Sequence, residues 1–166
     1  MKSSRIAASF AGAALLALAT SPAAQAFPNQ YEGLQIGDCA SWDLANNSAG
    51  PADCGAVEAQ YRLIEHHPLA PETQQQQCGP KATLSYHHRT DDGYRLALYC
   101  FTYNMTVDSC WKLTDVDTPQ RLDCAARQPG SDRITEVFED VVDENLCSTT
   151  AVVYRRVGLT VCVVPN

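Results

Sequence analysis

Apolar and polar residues alternate through the middle of this chain. In "AVEAQYRLIEHH" the apolar positions Val57, Ala59, Tyr61 and Leu63 recur at every second residue, the period of a strand with one buried face. Ala, Glu, Gln and Arg would also serve a helix, but the alternation favours a strand. Farther on, "KATLSYHH" and "YRLALYCFTY" flank the turn sequence "RTDDG" and predict a hairpin. "TTAVVYRR" and "LTVCVV" do the same around a tight Val157–Gly158 turn. "GLQIGDCASW" begins as another alternating stretch, whereas "DLANNSAGPADC" is rich in Asn, Ser, Gly and Pro and reads as a loop. "HPLAPETQQQQCGP" reads as a connection. "DRITEVFEDVVDENLC" predicts a strand that ends in a loop or a short helix before Cys147. The expected fold is mainly β, with α+β as the variant: two small antiparallel units, each with at most one short helix.

The eight cysteines sharpen that picture. From Cys39 the steps to Cys54, Cys78 and Cys100 are 15, 24 and 22 residues; from Cys110 the steps to Cys124, Cys147 and Cys162 are 14, 23 and 15. The first three members of each set lie 71, 70 and 69 residues apart, the last pair 62. Neighbouring words repeat as well: "IGDC" with "VDSC", "DCGAVEAQYRLIE" with "DCAARQPGSDRITEVFE", and "LSYHHRTDDGYRLALYC" with "AVVYRRVGLTVC". This last alignment sets Tyr86 over Tyr154 and His87–His88 over Arg155–Arg156. The chain therefore reads as a tandem duplication of a unit of about seventy residues. The expected division is an export segment at 1–26, a first repeat at 27–106 and a shorter second repeat at 107–166.

An even cysteine count without CxxC or HxxxH spacing predicts a disulfide framework, not zinc. Each repeat allows three pairings. In a straight hairpin turning near Asp91–Asp92, Cys100 faces a residue near Thr83. The five residues back to Cys78 span about 16 Å, too far for a bridge unless the chain doubles back at Gly79–Pro80.

"MKSSRIAASFAGAALLALATSPAAQA" has basic residues first, then an apolar run, then small residues ending at Ala26. That is the grammar of a secretory signal cut before Phe27, and the run is too short for a spanning helix. Loss of Lys2 and Arg5 would leave 10 basic against 19 acidic residues, a formal net charge of −9. With no basic run, the chain is a poor candidate for nucleic acid or an anionic membrane, and no nucleic-acid partner is expected.

Candidate chemistry is sparse. His66, His67, His87 and His88 stand on two strands expected to be neighbours, where Glu65 or Asp91 would complete a metal site. Adjacent strand residues point to opposite faces, however, so each pair offers one imidazole per face; solvated histidines are the simpler expectation. Trp42 and Trp111 follow equivalent cysteines, which predicts core positions against a disulfide; exposed, the pair would form a carbohydrate- or protein-binding surface. No GxSxG elbow, spare cysteine or glycine-rich phosphate loop occurs, so no catalytic residue and no cofactor are assigned. "NNS" at Asn46–Ser48 and "NMT" at Asn104–Thr106 match the glycosylation sequon by chance.

Gly37, Asp38, Cys39, Cys54, Ala59, Tyr61, Arg62, Leu63, Cys78 and Cys100 form a pattern that resembles the small exported domain of actinobacterial cell-envelope proteins of the septum-formation and lipoprotein-U type. Asp108, Ser109, Cys110, Cys124, Arg133, Ile134, Cys147 and Cys162 form a degenerate second copy. The chain departs from that pattern in lacking a lipid-attachment cysteine, which argues for a free secreted form. The resemblance implies a location outside the cell or in the envelope and carries over no catalytic residue. The expected function is a secreted, non-enzymatic binding or envelope-associated module, its partner an extracellular protein or envelope component. The runner-up is a secreted hydrolase inhibitor presenting "HHPLAPETQQQQ"; a small secreted hydrolase built on the histidines comes third.

Overall fold

The computed structural model describes residues 29–43, 48–114 and 118–166. Residues 1–26, where an export segment is expected, and Asn46 of the first sequon match lie outside them. Ten strands form two five-stranded antiparallel sheets. The first sheet contains β1 (Cys39–Asp43), β2 (Ser48–Ala52), β3 (Tyr61–Pro68), β4 (Leu84–Arg89) and β5 (Arg95–Tyr103), in the order β2-β1-β3-β5-β4. The second contains β6 (Cys110–Lys112), β7 (Gln120–Leu122), β8 (Ser131–Glu139), β9 (Thr150–Tyr154) and β10 (Leu159–Pro165), in the order β7-β6-β8-β10-β9. The fold is mainly β, as the alternation predicts. Among the described residues helix is limited to single 3-10 turns at Pro71–Thr73, Cys124–Ala126 and Glu144–Leu146, and none is long and apolar enough to cross a membrane.

The two sheets match in detail. In each, one extra residue bulges from the third strand opposite a cysteine step: Ile64 between the Leu63↔Phe101 and Glu65↔Cys100 pairs, Thr135 between Ile134↔Val163 and Glu136↔Cys162. Because side chains alternate, a bulge reverses the phase of all that follows. Leu63 thus faces the same way as His66, not Glu65. The repeated "IGDC" and "VDSC" words are one turn made twice. Asp38 N–H donates to the Gln35 carbonyl (3.0 Å) and Ser109 N–H to that of Thr106 (3.1 Å). In return the Asp38 carboxylate accepts from Gln35 N–H (2.8 Å) and Ser109 Oγ from Thr106 N–H (3.2 Å). The residue before each, Gly37 (φ 100°) or Asp108 (φ 67°), is left-handed, where Gly and Asp are among the least strained choices.

Register corrects the alignment of the hairpins. Tyr86 pairs with Tyr99 and Val152 with Val161, while His88 pairs with Ala97 and Tyr154 with Leu159. Tyr154 therefore stands where His88 does, and Val153–Tyr154 replace His87–His88. Arg155 and Arg156 belong to the turn before β10. A sequence alignment has no access to the cross-strand register that decides this.

Three other expectations fail locally. β3 starts at Tyr61, and residues 53–60 form turns in which Asp53 accepts from Gly55 N–H (2.8 Å), leaving Val57 exposed. Residues 34–38 are likewise a turn, not the start of a strand. "DLANNSAGPADC" contains β2, whose Pro51 is tolerated because β2 is an edge strand.

Disulfides join Cys39–Cys54, Cys78–Cys100, Cys110–Cys124 and Cys147–Cys162. The first bridge of each sheet ties its first strand to the loop beyond its hairpin. The second staples a connecting segment across the back of the sheet, so the chain does double back near Gly79 to bring Cys78 to Cys100. Behind the first sheet, Leu98 and Cys100 pack on Ala82, Ile64 and Leu69. Behind the second, Thr160 replaces Leu98, and its hydroxyl donates to the Val141 carbonyl (2.8 Å) and accepts from Asp143 N–H (3.3 Å).

The front faces hold the larger cores. Tyr31, wholly buried, lies over Ala40, Leu63, Tyr99 and Phe101. Trp111 fills the second core beside Ile134, Val161 and Met105, with its indole N–H donating to Ser109 Oγ at 2.9 Å. Ala40 and Trp111 occupy equivalent positions, paired with Tyr61 and Asp132; Tyr31, from outside the sheet, supplies aromatic bulk where β1 has only alanine.

A buried polar clamp fixes one sheet against the other. Arg121 of β7, 8% exposed, donates through Nη1 to the carbonyls of Cys54 (2.8 Å) and Ala59 (2.9 Å). Asn104 Nδ2 donates to the same two oxygens, each at 3.0 Å. Burial disfavours the charged guanidinium and the nearby Glu58 offsets this in part. Asn104, buried at this junction, is closed to glycosylation in the folded chain. At the margin Arg62 pairs with Glu139 and Lys81 with Asp140.

Two stability measurements follow. Trp111→Ala should lower the unfolding free energy by about 3–5 kcal/mol in urea titrations. Asn104→Ala and Arg121→Ala should each cost about 1–3 kcal/mol, and the double variant more than their sum, because only then do the Cys54 carbonyl and the buried Ala59 carbonyl lose both donors. Strict additivity would refute the shared clamp.

Candidate functional site

Between the sheets runs a groove of about 800 Å³. Its walls come from both. The first sheet contributes Trp42 at the end of β1, Tyr61 at the start of β3, and Tyr103 at the end of β5; the hairpin of β6 and β7 contributes Lys112, Thr114 and Gln120. Glu58 and Gln60 come from the loop that the clamp holds, so the clamp also sets one wall. Tyr61 and Tyr103 are cross-strand partners with ring centres 6.1 Å apart. Trp42 is half-buried, backed by Tyr31 (6.5 Å, 27° between planes) and met edge-on by Tyr86 (6.1 Å, 73°). Burial pushes the phenol pKa of Tyr61 up, so the ring presents a neutral hydroxyl at physiological pH.

Chemically, this surface offers flat aromatic faces flanked by amides, hydroxyls and carboxylates. Aromatic anchors with a few oriented polar groups are the general make-up of a ligand groove. Of the two tryptophans singled out from the sequence, only Trp42 is available to a ligand. Trp111 belongs to the core, which corrects its candidacy as a binding residue. Nothing in the spacing of Tyr103, Gln60 and Gln120 marks them, and Tyr61 is marked only as a strand position; they meet only when two sheets are docked.

The histidines do not converge. His66 shares a row with Tyr99 and Tyr86, and its ring stacks on Tyr99 at 4.4 Å and 14°. His67 and His87 point to the other face with Leu98 between them, roughly 10 Å apart across two strand spacings. His88, opposite Ala97, returns to the face of His66 but in a different row. His67 Nε2 lies 3.0 Å from Glu65 Oε2, and the Glu65 carboxylate also accepts from Gly79 N–H (3.2 Å). A Cβ at position 79 would lie 2.5 Å from Glu65 Oε1, so glycine is what allows the approach. Glu65, His67 and Cys100 are close enough to hold a cation, but Cys100 is bonded to Cys78 and its sulfur is no thiolate ligand. Asp91 lies outside this cluster.

No protein-family model, curated protein or solved structure matches this chain.

Titration gives a direct check on these groups. The hydrogen bond with His67, aided by Gly79 N–H, holds the Glu65 carboxyl below its ordinary 4.5 despite partial burial. Its contribution to stability is thus complete above about pH 4.5 and fades as pH falls through the lowered value. Burial, with Arg95 and Arg89 nearby, holds His87 below 6.5, and its Nε2 is buried without a partner among the described residues. The unfolded chain takes up that proton first, so stability declines on acidification below about pH 6.5. In urea titrations at a series of pH values, His87→Leu should flatten the upper limb and Glu65→Gln the lower; a limb unchanged by its variant would refute that assignment.

Proposed function

We propose that this protein is a secreted or envelope-associated binding module whose ligand, a hydroxyl-rich saccharide, lies in the groove between the sheets. The observation that carries this reading is the groove's lining. Trp42, Tyr61 and Tyr103 offer the apolar faces on which sugar rings stack, and Gln60, Gln120 and Glu58 supply planar hydrogen-bonding groups beside them. Four disulfides accord with life in an oxidising compartment. The resemblance to the exported septum-formation and lipoprotein-U type of domain supports the same location, and the matching sheets support descent from one duplicated unit. The groove then exists because two copies are joined.

A second reading, a hydrolase inhibitor, rests on the exposed Gln75–Gln77 stretch. It is held at both ends: the Gln74 side chain bonds Arg95 N–H and carbonyl (3.1 and 2.9 Å), and Cys78 is bridged to Cys100. A rigid exposed loop is what an inhibitor presents.

Fluorescence tests the first reading, because Trp111 is a buried, constant background and Trp42 faces the groove. Titration with soluble cell-wall oligosaccharides should change the emission. Trp42→Phe should remove the change, and Gln60→Ala with Gln120→Ala should weaken binding about tenfold or more. If no oligosaccharide binds while Gln75–Gln77 proves protected on a hydrolase, the inhibitor reading takes its place.

A further inference from the structure

At Tyr103 and Thr83 the groove continues into a second cavity of about 440 Å³, lined by both of those residues and by Tyr154, Arg155, Arg156 and Val157. Its chemistry differs from the rest of the groove. Arg155 and Arg156 are both exposed, and neither forms an ion pair among the described residues. Glu139 and Asp140, which border the adjoining cavity together with Val157, are taken by Arg62 of β3 and Lys81 of the segment before β4. Arg156 is nevertheless positioned: its Nη2 donates to the Ala82 carbonyl at 3.2 Å, which leaves other guanidinium N–H groups unused. Two unpaired cations side by side are conspicuous in a chain with 19 acidic residues.

A second observation is independent of charge. Tyr154 lines this cavity and is 6% exposed, and its hydroxyl is buried with no hydrogen-bond partner among the described residues. Its ring lies against Tyr103, centre to centre 5.6 Å. A buried hydroxyl without a partner is costly and rare in folded proteins; a small shift of the ring toward the cavity would give it a ligand oxygen.

We infer that this cavity is a carboxylate subsite and that the groove selects acidic saccharides, those whose rings carry a carboxylate, over neutral ones. Arg155 and Arg156 meet the carboxylate, for which the planar guanidinium is suited, and the Tyr154 hydroxyl donates to an oxygen of the same sugar. The inference rests on the saccharide reading of the groove and adds to it the identity of the charged end.

The test compares hexagalacturonate with its methyl ester, the same sugars with the charge removed. Titrations are followed by Trp42 fluorescence and by calorimetry. The acid should bind at least about tenfold more tightly than the ester and weaken steeply with added salt, as screened charge pairs do. Arg155→Glu, at an exposed turn position where folding is not at stake, should abolish that preference. Tyr154→Phe should leave the stability of the free protein unchanged or raised, since no bond is lost, yet weaken the acid's binding about three- to tenfold; a purely structural tyrosine would show the opposite pair of effects. Equal affinity for acid and ester, with Arg155→Glu silent, overturns the inference and leaves the saccharide reading standing. Binding of neither overturns both.

Discussion

Everything proposed for this protein depends on two sheets being held at a fixed distance, and a handful of buried hydrogen bonds do that. Arg121 of the second sheet and Asn104 of the linking segment reach into one loop of the first and share its Cys54 and Ala59 carbonyls. Burying a guanidinium is costly unless its hydrogen bonds are made. This one makes them only if the sheets are docked as they are. The clamp therefore specifies geometry more than it adds stability: a slipped arrangement would strand a cation and two carbonyls together.

Within each sheet the disulfides play the corresponding part. Small sheets bury little apolar surface, and a cross-link compensates by restricting the unfolded chain. The placement matters as much as the number. Cys78–Cys100 and Cys147–Cys162 each press an irregular connection against the back of a central strand, which frees the front faces for the cores built on Tyr31 and Trp111. The bulge opposite the central cysteine is part of the same device. By reversing the strand phase it sends Leu63 to the front core and Glu65 toward Gly79.

The groove arises from what the two sheets do not share. Equivalent positions carry alanine in one and tryptophan in the other, leucine in one and threonine in the other, histidine in one and tyrosine in the other. The last difference puts Tyr154 and its unpartnered hydroxyl at the junction. The first lets Trp42, two residues along from Ala40, remain half-buried beside the groove. Divergence between matching units is thus where the groove's distinctive side chains concentrate, while the matched cysteines, turns and bulges serve the frame.

The periodicities of the chain were enough to establish strands, the hairpin of β4 and β5, the β class and a disulfide framework, because each rests on local spacing: alternation at period two, turn residues between apolar runs, and cysteines at recurring intervals. Strand starts were less legible. The alternation of Val57 and Ala59 continues that of Tyr61 and Leu63, yet the Cys39–Cys54 bridge and the clamp pull that segment into turns. Hairpin register was illegible too, since aligning tyrosine with tyrosine sets the strand residues His87–His88 over the turn residues Arg155–Arg156. What the sequence by itself determined was therefore the frame, whose causes lie within a few residues of their effects. Which tryptophan borders the groove, that the histidines diverge, and that Tyr61, Tyr103 and Gln120 line it with two turn arginines in the adjoining cavity were decided only by tertiary structure, because these depend on strand phase and on the docking of segments far apart in the chain.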